Sequence, residues 1–160
     1  PDPWHQICAC QLMQLDDPAA GRQACLHAHR LAPGQAEPCY KLAIAHLLLE
    51  EFEPAGQWAR KTLERSPGRA DATNVLALAL LHQGERQEAG TLMKQLVELE
   101  PDKALYRKNY ALWLAEEKQC AQSRTQLDRA EELGADVAEA RATLAGTCPP
   151  PRLRRGKAKP

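Results

Sequence analysis

Three prolines, Pro33, Pro67 and Pro101, recur at one constant interval, and each closes a similar phrase: Leu31-Ala32-Pro33, Arg65-Ser66-Pro67 and Leu99-Glu100-Pro101. Proline lacks a backbone donor and clashes with the preceding helical turn, so each phrase marks a place where a helical pattern stops. A fixed period of about 34 residues is the signature of a helix-turn-helix unit repeated along the chain. Composition agrees: aromatic residues make up 4% of the 160, with a single Phe. Ala, Leu, Gln, Glu and Arg outweigh the β-branched residues, as helices require. The expected class is all-α.

Within each period a second pattern recurs. One copy reads Cys39-x2-Leu42-Ala43-x2-His46, then Ala55-x3-Ala59 and Pro67; the next reads Thr73-x2-Leu76-Ala77-x2-Leu80, then Ala89-x3-Met93 and Pro101. Looser copies are His5-x2-Cys8-Ala9-x2-Leu12 with Gly21-x3-Cys25 and Pro33, and Arg107-x2-Tyr110-Ala111-x2-Leu114 with Ser123-x3-Leu127. In the last, Gly134-Ala135 replaces the proline. With these residues the chain resembles the tetratricopeptide repeat (TPR) family, most of whose large aromatic positions are here taken by smaller residues. The resemblance implies a right-handed α-solenoid of about four TPR helix-turn-helix units, at 2–35, 36–69, 70–103 and 104–137.

Small residues such as Ala43, Ala55, Ala77, Ala89 and Ala111 let paired helices approach closely, and Leu42, Leu76 and Leu127 fill between them. Each pair leaves an apolar face that only the next pair covers, so the last needs a cap with a polar back. Residues 137–147 supply a C-terminal capping helix, with Val137, Ala140 and Leu144 at helical spacing. From 148 to 160 the chain reads as a disordered, basic, Pro-rich tail: Pro149-Pro150-Pro151 forbids helix, and Arg152, Arg154, Arg155, Lys157 and Lys159 follow without an acid.

The 21 basic and 21 acidic residues balance. Over residues 1–148, however, 16 basic face 21 acidic, so a net of −5 lies ahead of a basic tail. No whole-chain field steers the protein to nucleic acid, and the tail's five charges without stacking aromatics give that partner a weak footing. The apolar run Leu76–Leu81 is far shorter than the ~20 residues that span a bilayer, and no basic-then-apolar leader opens the sequence. These features imply no transmembrane segment and a cytoplasmic location, or a periplasmic or membrane-associated one if a leader has been removed. The six cysteines, Cys8, Cys10, Cys25, Cys39, Cys120 and Cys148, are accordingly expected to be reduced. Cys8, Cys25 and Cys39 should be buried, and Cys148, beside the tail, reactive.

The sequence shows no nucleophile elbow, no phosphate-binding glycine loop and no paired C-x-x-C motif, so the reading is not an enzyme and needs no cofactor. Residues two apart on a helix diverge, so neither Cys8 with Cys10 nor His27 with His29 can share a metal ion. Cys25 and His29 share a face, yet Cys25 sits where the family packs apolar residues. No metal site is expected.

In this family the first helices of successive units line a concave groove. Carrying its positions over gives Gln6, Cys10, Met13 and Gln14 in the first unit, and Tyr40, Ile44, Leu47 and Leu48 in the second. The third gives Asn74, Leu78, Leu81 and His82; the fourth gives Lys108, Leu112, Ala115 and Glu116, with Asn109 beside them. Apolar side chains in one stripe mark a binding surface. The Lys and Asn clamp with which some relatives hold a partner's carboxylate end is incomplete: Gln6 and Cys10 stand at its first-unit positions, Asp71 and Asn74 at its third. The implied function is a protein-protein interaction module, a scaffold, assembly factor or chaperone, holding a peptide or amphipathic helix in an apolar groove, with Asn74, Lys108 and Asn109 bonding its backbone. The alternative is a self-assembling, homo-oligomeric scaffold.

Overall fold

The computed structural model describes residues 17–148. Gln6, Cys8, Cys10, Met13 and Gln14, the expected first helix of the first repeat and the basic tail from Pro149 lie outside the described residues. Eight helices follow one another, and no strand occurs among the described residues: α1 Pro18–Leu31, α2 Ala36–Leu48, α3 Phe52–Arg65, α4 Ala70–Gln83, α5 Arg86–Leu99, α6 Ala104–Glu116, α7 Cys120–Glu132 and α8 Ala138–Thr147. The period governs every helix start. Second helices begin at Pro18, Phe52, Arg86 and Cys120, and first helices at Ala36, Ala70, Ala104 and Ala138, each one full period after its predecessor. The terminal helix α8 is thus in register as one more first helix.

The turns inside the repeats obey the same period. Glu50, Gly84 and Lys118 stand one period apart and all take the left-handed conformation, with φ of 58°, 88° and 60°. After each, the next amide reaches back to close the preceding helix: Glu51 N to His46 O at 2.9 Å, Glu85 N to Leu80 O at 2.9 Å and Gln119 N to Leu114 O at 2.8 Å. Such a closure favours glycine, which has no Cβ to clash with its own carbonyl, but only Gly84 meets that preference.

The described residues form two compact bodies, divided between Glu98 and Leu99. In the first, α2 packs against α1, α3 and α4, and α3 against α4. Its cores join Ala24, Cys25, Leu42 and Ala45, and Ala43, Ala59, Val75, Leu76, Leu80 and Ala89. In the second, α6 packs on α7, and α8 covers both through Val137, Ala140 and Leu144, each at most 5% exposed. This is the face expected of a capping helix. Where Ala55 and Ala89 fill the close contact of their repeats, Ser123 stands instead; its hydroxyl donates to the Ala111 carbonyl at 2.7 Å, so the buried oxygen is satisfied.

The cysteines overturn the expectation of reduced thiols. Cys120, the first residue of α7, and Cys148, which closes α8, form a disulfide, and Cys25 is disulfide-bonded as well. Cys39 is a free, buried thiol. Cys148, expected to be reactive, is 1% exposed instead, because the end of α8 lies over the start of α7.

Three outcomes test this architecture. Ala77 is fully buried between paired helices. Ala77→Trp is therefore expected to destabilise the protein by ~1–3 kcal/mol or more in urea unfolding, since a close contact cannot take an indole. Glu50→Gly removes a left-handed Cβ and is expected to raise stability by a few tenths to ~1 kcal/mol, the strain relieved exceeding the entropy that glycine adds to the unfolded chain. The Cys120–Cys148 bridge spans 28 residues. Replacing both cysteines by serine should cost ~3–4 kcal/mol on loop entropy, and alkylation of the native protein without reductant should leave both unlabelled.

Candidate functional site

In the first body α2 and α4 lie side by side, and the stripe expected to form the groove runs along them. Tyr40, Ile44 and Leu47 of α2 and Leu81 of α4 pack against the core of Ala43, Val75, Leu76 and Leu80 while staying partly exposed. Leu78 is also partly exposed, and Leu48, near the end of α2, is 44% exposed. Tyr40, Ile44, Leu47 and Leu81 thus both seal the core and present apolar surface. Asn74 departs from expectation: it is only 8% exposed, so burial leaves little of its amide for a bound backbone.

At one end of the stripe the Arg69 guanidinium lies over the Tyr40 ring, 4.0 Å from its centre. Its Nε and Nη2 donate to the two Asp71 oxygens at 2.7 and 3.1 Å, and Nη1 donates to Glu37 at 2.7 Å. Burial alone would raise the Asp71 carboxyl, but the hydrogen bonds and charge of Arg69 outweigh it and hold the group below its ordinary range. Burial and the charge of Asp71, whose carboxylate accepts a hydrogen bond from the tyrosine hydroxyl, push the Tyr40 phenol up to about 12. At the other end His82, expected in the groove, stacks on Phe52 with ring centres 4.2 Å apart and planes 6° from parallel. Sequence reasoning missed both Arg69 and Phe52. Each belongs to a connection or a second helix, outside the positions that the resemblance carried over.

Behind the stripe lies a polar pair that looks more reactive than it is. Cys39 Sγ is 3.5 Å from His29 Nδ1, and His29 meets the Trp58 ring edge to face at 5.0 Å. Burial raises the thiol and lowers the imidazole, so both are held neutral. With Cys39 fully buried, the pair lacks the exposed thiolate that a nucleophile needs. Among the described residues no group of three or more His, Cys, Asp and Glu is placed to hold a metal ion.

In the second body Lys108 and Leu112 of α6 line a cleft of about 240 Å³ with Asp136, Glu139, Ala140 and Thr143 from the start of α8. Asn109 is partly buried beside them and Glu116 is exposed, but Ala115 is fully buried. Ala115 therefore belongs to the core with Ala111 and Leu127 and not to the groove, because α8 closes over that face. The structure thus brings together Tyr40, Ile44, Leu47 and Leu81 on the core of one body, and Lys108 and Leu112 at the cleft of the other.

No protein-family model and no curated protein matches the sequence. Solved structures do match its fold. MamA residues 41 to the end, from Desulfovibrio magneticus RS-1, superposes with a TM-score of 0.74 at 18% identity, over 83% of this chain and 75% of that one. YrrB, described as a TPR protein with an unusual peptide-binding site, gives 0.71 at 18% identity, over 91% and 75%. An O-GlcNAc transferase from Thermobaculum terrenum, as its K341M mutant, gives 0.73 at 20% identity, over 81% of this chain but 25% of the enzyme. The eight helices in one repeating register and these superpositions together identify the chain's fold as that of the tetratricopeptide repeat.

Proposed function

We propose that the chain is a protein-protein interaction module that holds an amphipathic helix or extended apolar segment of a partner along the stripe on α2 and α4. The observation that carries this reading is the double duty of Tyr40, Ile44, Leu47 and Leu81, which close the core yet keep apolar surface in contact with solvent. Contiguous apolar surface of this kind gains free energy when a partner covers it. That a neighbour in fold, YrrB, is described as having a peptide-binding site supports the same reading.

The chemistry at the ends of the stripe narrows the partner. Asp71 engages Arg69 and presents no cation at the clamp position, which disfavours capture of a carboxylate terminus. The Cys120–Cys148 disulfide supports residence in an oxidising compartment in place of the cytoplasm, since such bonds persist where thiols are not kept reduced. No described helix is long and apolar enough to cross a membrane.

Leu78→Glu is the deciding variant. The side chain is partly exposed, so helical circular dichroism and melting should stay close to the parent. A partner segment covering the stripe would leave the new carboxylate desolvated and unpaired, and affinity for the natural partner should fall more than tenfold, at least ~1.4 kcal/mol. An unfolded variant would show that Leu78 is core. A folded variant that binds fully would remove the stripe from the interface, and mass growing with concentration in light scattering would favour self-assembly.

A further inference from the structure

The repeat register makes the cleft on α6 and α8 the counterpart of the Tyr40 end of the stripe. Two periods separate Tyr40 from Lys108, Ile44 from Leu112, Gly68 from Asp136, Asp71 from Glu139, Ala72 from Ala140 and Val75 from Thr143. At the first place an aromatic ring and a guanidinium belong to the chain itself: Tyr40 lies under Arg69, and Arg69 binds Asp71 through two hydrogen bonds. At the second the acid remains but both of its companions are gone. Lys108 replaces the tyrosine and Val137 replaces the arginine, and a cleft of about 240 Å³ is left open.

The groups around that cleft suit one kind of side chain. Neither Glu139 nor Lys108 is ion-paired among the described residues. One Asp136 oxygen accepts the Ala138 amide at 3.0 Å, which leaves the other to a ligand. Leu112 and Ala140 supply an apolar floor beside the two carboxylates. A carboxylate takes a guanidinium in bidentate, planar fashion, as Asp71 takes Arg69, whereas a lysine offers only a point charge.

We propose that the cleft between α6 and α8 receives an arginine of the partner segment, its guanidinium on Glu139 and Asp136 and an adjoining aromatic ring on Leu112 and Ala140. This rests on the reading of the protein as a peptide-binding module and names a side-chain pair that its partner should carry. Lys108 acts as a counterweight in the same cleft, raising selectivity by opposing any cation that cannot bridge both acids.

The probe is acetyl-Tyr-Arg-amide, compared with acetyl-Tyr-Gln-amide, titrated to millimolar concentration into the disulfide-bonded 160-residue chain while backbone amide signals are followed by NMR. Saturable shifts centred on Lys108, Leu112, Glu139 and Thr143 are expected with the arginine compound, and binding at least fivefold weaker with the glutamine compound. Glu139→Gln should weaken binding of the arginine compound at least fivefold and Lys108→Met should strengthen it, two opposite changes that a disturbed fold would not produce together. Equal binding of both compounds, shifts centred elsewhere, or none at all would overturn the proposal. So would movement of the Arg152–Arg155 signals on Glu139→Gln without any probe, which would assign the cleft to the chain's own tail. Failure here leaves the stripe reading standing if Leu78→Glu still weakens binding of the natural partner more than tenfold.

Discussion

The structure depends on the closeness with which paired helices approach at Ala43, Ala77 and Ala111, all fully buried and each one period from the next. A methyl group at the crossing lets backbones come within a distance that a larger side chain forbids, and dispersion contacts along both helices then accumulate. The facing positions Cys25, Ala59, Met93 and Leu127 differ in size, yet all are at most 1% exposed. Variation in volume is therefore tolerated at the facing positions while the crossing residue stays the same. Ser123 shows how strict the second close contact is: a hydroxyl enters only because a carbonyl lies 2.7 Å away to accept it.

Much of the fold was legible because period and proline placement act locally. Helix starts and stops follow from residues within a few positions of each other, and the alanines betray the crossings. What escaped the reading involves residues far apart in sequence. Arg69 reaches Glu37 across 32 residues, and Phe52 meets His82 of the next repeat, so neither contact carries a local signal. The Cys120–Cys148 bond is a different case, since its signal was present. In the register Cys148 follows Leu80 and Leu114, both core residues, so the period places it at a core position and not in the tail.

The site was legible in outline for the same reason and incomplete for another. The period picks out which residues lie on the first helices, and in the first body most of them stay partly exposed as expected. It does not set how deeply each is buried. Asn74 shares its register position with Tyr40 and Lys108, yet is only 8% exposed while the other two keep more surface, because side-chain size and local neighbours decide exposure. Ala115 lies one period after Leu81, but the cap covers it.

Helical arrays ordinarily fray from their ends, because a terminal helix is held by one neighbour and can peel away alone. The link from the first residue of α7 to the end of α8 changes the unit of opening at this end. Detached from α6, α8 would still be tethered to α7, and the two termini that the bridge joins would remain within bonding distance. Peeling α8 therefore gains little chain entropy unless α7 loosens too, so opening there is expected to proceed as a block of helices, with slow hydrogen exchange reaching the last turn before Cys148.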